Sequence, residues 1–310
     1  MKTTINKNEY SVIIPLFNKR EYILRAISSV FTQNHNVEII VIDDGSTDDS
    51  ISLVNSLKDD RIKIISQTNQ GAASARNRGI EQAIFNYLAF LDADDEWLPG
   101  YLSAIDILIR DYPGCGLYAA SYRDQFGDRI HEYDSNESEP FIGILNYFEK
   151  ALNEYPFCTS SVVLNKRVFI NVEKFNESIW LGEDLDLWGR IALNYQIAYT
   201  SIVYTIYHHN TVSQTIKRKL PIINNFVHSL NRHLESNPRV NDSVLKYANH
   251  LLINAALLNI INGHPKSARL LIYDRPSDKY LFKILLCLIL SLLPRKIFCV
   301  IKNTWNKIKS

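Results

Sequence analysis

The chain has 310 residues, 46% of them hydrophobic and 22% charged, a balance that suits a folded domain with a full core and an extension. A formal net charge of +1 gives no electrostatic ground for nucleic-acid binding. Cys115, Cys158, Cys287 and Cys299 form no Cys-x-x-Cys pair, which argues against a disulfide frame or zinc site and fits a reducing cytosol, while residues 1–9 lack a signal-peptide apolar stretch.

Tyr10-Ser11-Val12-Ile13-Ile14-Pro15-Leu16-Phe17-Asn18 is apolar and β-branched, as a buried strand is, and residues 21–31 read as a helix. Val37-Glu38-Ile39-Ile40-Val41-Ile42 repeats the form and ends in Asp43-Asp44-Gly45-Ser46-Thr47-Asp48-Asp49-Ser50. Gly45 permits a tight turn, and Ser46, Thr47 or Asp48 can cap a helix over 51–57. A short strand over 62–65 leads to Asn69-Gln70-Gly71-Ala72-Ala73-Ser74-Ala75-Arg76-Asn77-Arg78-Gly79-Ile80, whose small residues let a helix approach a neighbour closely. Arg76 and Arg78 near its start suit phosphate oxygens, although a surface helix packed through alanines has the same pattern.

Next, Tyr87-Leu88-Ala89-Phe90-Leu91-Asp92-Ala93-Asp94-Asp95 runs an apolar strand straight into three carboxylates. Alternation puts Asp92 and Asp94 on one side of the extended chain, within reach of one ion or its ligand. Mg²⁺ or Mn²⁺ suits such oxygens and relieves their repulsion; a solvated acidic turn is the plainer alternative. Alternating strands and helices imply an open α/β sheet with its ligand beyond the carboxyl ends of the strands.

Trp97-Leu98-Pro99-Gly100 turns into a helix over 101–111, and residues 116–121 read as a strand. Residues 124–140 are polar, either a mobile loop on the acceptor side or a solvated insertion. Cys158-Thr159-Ser160-Ser161-Val162-Val163-Leu164 reads as a strand, with a helix start at 165–169. Trp180-Leu181-Gly182-Glu183-Asp184-Leu185-Asp186-Leu187-Trp188 is a third acidic cluster opening a helix. Glu183 or Asp184 either complements the helix N-terminus or, shielded by Trp180 and Trp188, serves as a base of raised pKa.

Residues from about 220 onward read as helices, including apolar 251–258. Residues 280–293 are apolar but contain Lys283 and stop at Pro294, short of the ~20 residues a membrane span needs. Ile297, Phe298, Ile301, Trp305 and Ile308 then recur at helical spacing among Lys302, Lys307 and Lys309. That pattern suits a basic amphipathic helix on an anionic membrane surface, or a helical cap on the domain.

Taken together, the first two-thirds of the chain resembles the family-2 inverting glycosyltransferases of GT-A fold, with its Rossmann-like mixed sheet flanked by helices. The motifs are Ser11-Val12-Ile13-Ile14-Pro15-Leu16-Phe17-Asn18, Ile42-Asp43-Asp44-Gly45-Ser46-Thr47-Asp48, Asn69-x-Gly71-x-x-x-Ala75-Arg76-Asn77-x-Gly79, Leu91-Asp92-x-Asp94-Asp95 and Gly182-Glu183-Asp184. The resemblance implies a nucleotide-sugar site at Pro15, Phe17, Asp43, Asp44, Arg76 and Asp92. Phe17, where relatives often have tyrosine, would lie against the base; Asp44, with Asp43 beside it, would read uracil and ribose. Arg76 would contact the nucleotide or pyrophosphate, Asp92 the ribose or donor sugar, and Asp94 the Mn²⁺ or Mg²⁺ ion. Asp184 would be the catalytic base, with Glu183 orienting substrate. Many relatives have a histidine three residues before the serine at 213; Asn210 stands there here, so His208, His209 and Asn210 are candidates for a further metal contact.

The expected molecule has a catalytic domain over 1–215, its donor half about 1–97 and its acceptor half 98–215, and a helical extension over 216–310. It would move a sugar from a UDP-linked donor to a glycan or lipid-linked saccharide in surface-polysaccharide synthesis, bind no nucleic acid, and work in the cytoplasm, with residues 280–310 touching the inner face of the membrane. The alternatives are an inactive nucleotide-sugar-binding scaffold and a phosphoacceptor built on Asp43-Asp44.

Overall fold

The computed structural model describes residues 7–127, 129–131, 139–179, 181–209 and 241–273. Asn210, Trp180 and residues 280–310 lie outside these, so the expectations placed on them do too. The chain divides into two compact units, residues 1–177 with 187–212, and residues 178–186 with 213–310.

The first unit is built on β1 (Glu9–Leu16), β2 (Asn36–Asp43), β3 (Ile62–Ser66) and β4 (Tyr87–Phe90). Between them run α1 (Ile23–Phe31), α2 (Ser50–Ser56) and α3 (Ala72–Gln82), and β4 is followed by β5 (Glu96–Trp97) and α4 (Tyr101–Asp111). Then come β6 (Leu117–Phe126), β7 (Arg129–His131), β8 (Ile142–Ile144), α5 (Tyr147–Lys150), β9 (Val162–Asn165), α6 (Glu183–Asn194) and β10 (Ile197–His208). Strand order is β3-β2-β1-β4-β9-β6-β10-β5, with β7 on β6 and β8 on β10. β3, β2, β1 and β4 are mutually parallel, β9 is antiparallel to β4 and β6, and β10 is parallel to β6.

The central strands are buried on both faces, which is why they read as continuous apolar runs. Val12 and Ile14 of β1, Ile39 and Val41 of β2 and Ala89 of β4 share a core with Ala26, Ile27 and Val30 of α1 and Leu102 and Ile105 of α4. On the opposite side α3 lies tight on β1: a Cβ at Gly79 would stand 2.4 Å from Ile13 Cγ2. Phe90, Phe157 and Phe175 meet the buried Trp188 ring edge-on. Each such fully buried side chain contributes about 1.5–3 kcal/mol.

The structure differs from the expected elements chiefly after residue 95. Residues 124–126 extend β6, and 129–131 pair back on it as β7, so the polar segment begins as a hairpin rather than a loop. Thr159–Ser161 form a 3-10 turn before β9, because Ser160 and Ser161 are buried and bonded locally instead of alternating along a strand. Residues 166–170 are likewise a 3-10 turn.

In the second unit the described helices are α7 (Asp242–Ile261) and α8 (Pro265–Tyr273), which pack together. Asn241 caps α7 by accepting from the Ser243 N–H. Glu183 to Asp186, the first four residues of α6, also belong to this unit. No described helix is long and apolar enough to cross a membrane.

Candidate active site

β1 ends at Leu16, and its parallel neighbours β2 and β4 end at Asp43 and Phe90 on either side of it. β1 feeds β2 in one direction and β4 lies in the other, so the β1–β4 boundary is the point where the strand order reverses. Such a boundary opens a crevice beyond the carboxyl ends of the strands. Pro15 and Phe17, Asp43 and Asp44, and Asp92 and Asp94 all emerge at this edge, the first pair half-buried.

Alternation holds through the acidic run: Leu91, Ala93, Asp95 and Trp97 are buried while Asp92, Asp94 and Glu96 are partly exposed. The Asp95 N–H donates to the Asp92 carbonyl at 3.0 Å, folding the run into a turn. Asp92 accepts from Arg76 Nη2 at 2.8 Å. Arg76 is buried on α3, whereas Arg78, two residues on, faces solvent. Asp94 is ion-paired to Lys19, and its carbonyl accepts from Arg25 Nη2.

Asp95 turns inward and accepts from Ser160 Oγ and from the His208 N–H at 3.0 Å. Burial pushes its carboxyl well above the ordinary carboxylate range, the charges of Asp94 and Asp92 push the same way, and the two hydrogen bonds oppose them. Ser160 Oγ also accepts from the Asp92 N–H at 3.0 Å, and the Ser160 carbonyl accepts from Trp97 Nε1 at 2.6 Å. Ser160 thus fixes both ends of the acidic turn.

Asp43 and Asp44 do different things. The Asp44 carboxylate accepts from Gln67 Nε2, the Gln70 N–H and the Gly71 N–H, each at 2.8 Å. It fastens the loop that enters α3, so the Gly71 N–H at the helix start is taken by a carboxylate of the chain. Gly45, at φ +78°, lets the turn pass beneath that loop, since a Cβ there would lie 3.1 Å from the Asn69 nitrogen. Among the described residues the Asp43 carboxylate is bonded by the Ser46 N–H, at 2.9 Å to Oδ1, and the residue is 7% exposed.

The histidines are committed to other carboxylates. His208 Nε2 lies 3.0 Å from Glu96, and this bond holds the Glu96 carboxyl below its ordinary value against the opposing effect of burial. His209 Nε2 lies 2.7 Å from Asp124, with its ring stacked on Phe126 at 4.1 Å. Among the described residues no three His, Cys, Asp or Glu side chains converge on a metal position. The residues present nonetheless fit a cation held jointly with a ligand: Asp92 and Asp94 offer carboxylate oxygens, and the Lys19 ammonium rests on Asp94 as a stand-in positive charge. Mg²⁺ is commonly bound through one or two carboxylates with substrate phosphates completing its shell.

In the second unit Glu183 and Asp184 open α6 after Gly182, whose φ is +81°, and the Leu185 N–H donates to Asp184 Oδ1 at 2.8 Å. Sequence reasoning missed Lys19, Arg25 and Ser160. The basic pair Lys19-Arg20 directly after the first strand was the available signal for Lys19; nothing local marks Ser160, whose role depends on β9 lying beside β4.

The family model described as glycosyl transferase family 2 matches residues 11–172, just over half of the 310. A GalNAc(5)-diNAcBac-PP-undecaprenol β-1,3-glucosyltransferase of Campylobacter jejuni is 30% identical over 215 residues, 66% of either chain. An uncharacterised glycosyltransferase of Rickettsia conorii is 36% identical over 195 residues, 62% of this chain and 31% of its own length. The chain therefore spans less than a third of the Rickettsia relatives it matches. Among solved structures, residues 1–349 of S. aureus TarS in complex with UDP-GlcNAc superpose with a TM-score of 0.61 at 18% identity, covering 96% of this chain and 92% of that one. That likeness is one of fold, the GT-A arrangement of a mostly parallel sheet flanked by helices.

Proposed function

The chain belongs to glycosyl transferase family 2, and on that premise we propose that it is a metal-dependent, inverting hexosyl- or N-acetylhexosaminyltransferase. Its donor is a nucleotide-diphosphate sugar, a UDP-sugar in this reading, and its acceptor is a hydroxyl of a glycan or lipid-linked saccharide in surface-polysaccharide synthesis. The observation that carries the donor half is the juxtaposition, at three adjacent parallel strand ends, of Asp43, Asp92 and Asp94 with the buried Arg76.

Phe17 offers an aromatic face for a base, and the Asp43 carboxylate an acceptor for a ring N–H or a ribose hydroxyl. Arg76, already oriented by Asp92, supplies fixed positive charge where the diphosphate leaves, and preorganised charge of this kind lowers the barrier without reorganisation. A divalent cation bound at Asp94 would neutralise the charge that develops on the departing diphosphate. Asp184 takes the acceptor proton as the hydroxyl attacks opposite the leaving group, Glu183 orients substrate, and the single displacement inverts the anomeric centre. Support for Asp184 is its place in the Gly182-Glu183-Asp184 helix start. A phosphoacceptor reading is disfavoured at Asp44, because both of its oxygens are occupied by hydrogen bonds, and it gives no role to the Asp92-Ala93-Asp94 and Gly182-Glu183-Asp184 clusters.

Turnover of UDP-sugars with Mn²⁺ tests the proposal. Asp94→Ala should lower turnover about 100-fold or more, and Asp184→Asn should lower kcat by about 10²–10⁴-fold with donor affinity retained. Wild-type rates in either variant would refute that residue's role.

A further inference from the structure

Asp94 reaches the crevice already neutralised. Lys19 lies in the turn after β1, its backbone N–H donating to Ser50 Oγ at 3.1 Å, and its ammonium is ion-paired to Asp94 Oδ2. The two side chains are only 16% and 17% exposed, so the pair is shielded from most of the solvent that weakens surface ion pairs. Arg25 Nη2 donates to the Asp94 backbone carbonyl, and Arg76 holds Asp92. Three cationic side chains thus converge on one acidic turn before any ligand arrives. Arg76 is locked by burial at 4% exposure. Lys19 differs: its charge sits at the end of a flexible four-carbon stem, which can swing without disturbing the backbone anchor at Ser50.

We propose that Lys19 is an internal counter-ion which a divalent cation must displace from Asp94, and that the released ammonium then holds the donor's diphosphate. The inference rests on the nucleotide-diphosphate reading above. A divalent cation on the Asp94 carboxylate would stand within a few ångströms of the ammonium and be repelled by it, so the metal alone binds weakly. When a diphosphate arrives with the metal, Lys19 exchanges one anionic partner for another and the cost of displacement is recovered. Metal and nucleotide therefore bind together rather than in sequence, and Asp94 does not stand as an exposed, unpaired carboxylate between turnovers.

The test is Mn²⁺ binding to the full chain without nucleotide, read from the loss of the free-ion electron paramagnetic resonance signal, followed by calorimetric titration of UDP at saturating Mn²⁺. Lys19→Met should bind Mn²⁺ alone about fivefold tighter or more, and should bind UDP with Mn²⁺ about fivefold weaker or more, a shift equivalent to about one ion-pair energy. Lys19→Gln should behave the same way with a polar tip retained, and Lys19→Arg should stay near wild type. Mn²⁺ binding no tighter in Lys19→Met and Lys19→Gln than in wild type overturns the displacement. Tighter Mn²⁺ with unchanged UDP affinity overturns the diphosphate contact. Absence of UDP and Mn²⁺ binding in the wild-type chain itself overturns the donor reading, and this inference with it.

Discussion

Two adjacent aspartates at the end of β2 have opposite duties, and the difference is set by what each oxygen meets. Asp44 is 4% exposed and its carboxylate closes on three donors, two of them backbone N–H groups at the entry to α3. Removing a buried acceptor leaves those donors unsatisfied. Asp44→Ala should therefore destabilise the fold by about 2–3 kcal/mol in urea denaturation, with Asp44→Asn milder because one oxygen remains; two neutral variants would show that the loop is held otherwise. Asp43, with one donor among the described residues, is the residue expected to meet a ligand. The family resemblance gives the base-reading role to Asp44 with Asp43 beside it, whereas the three bonds at Asp44 favour Asp43, a distinction that depends on the 67–71 loop folding back beside β2. Likewise Arg76 and Arg78 look equivalent in sequence, and only the helical turn decides that the first reaches Asp92 while the second faces water.

At the scale of elements, β1, β2 and β4 were legible because they are buried on both faces, α1 because it has a clear apolar stripe, and α3 through its small residues, which pack on β1. The two-residue β5, the short β8 and the β7 hairpin were not legible. They are too short to show periodicity and exist because β10 and β6 offer edges to pair with. One inter-element tie has no local signal in the sequence. Asp106 on α4 accepts from Tyr10 Oη at 2.7 Å and from Asn8, and lies 2.9 Å from His35 Nε2, joining α4 to β1 and to the α1–β2 turn. Burial alone would raise the Asp106 carboxyl, but the bonds from His35, Tyr10 and Asn8 outweigh it and hold it below the ordinary aspartate range. A folded pKa below the unfolded one gives stability that is present above the ordinary aspartate range and lost as pH falls through the folded value. Denaturation midpoints followed from neutral pH into acid should fall in wild type, and Asp106→Asn should be less stable at neutral pH with a shallower acid-side decline. An unchanged slope would assign the acid sensitivity to other carboxylates.

For the molecule as a whole, the α/β class and the family were readable from five ordered motifs, while the substrate was not, since no motif encodes the shape of the acceptor side. The hydrophobic and basic residues near the C-terminus lead to a proposal of contact with an anionic membrane surface. Lys302, Lys307 and Lys309 each would add about 1 kcal/mol near such a surface. Flotation of the full chain with phosphatidylserine vesicles should be lost when the three become glutamine and reduced by salt; equal flotation of the variant would place the segment off the membrane. The central claim concerns the crevice at the ends of β1, β2 and β4, and calorimetric titration of UDP with Mn²⁺ measures it directly. Wild type should bind, and Asp43→Ala and Asp94→Ala should each weaken binding about tenfold or more. Unchanged affinity in both variants would contradict the account.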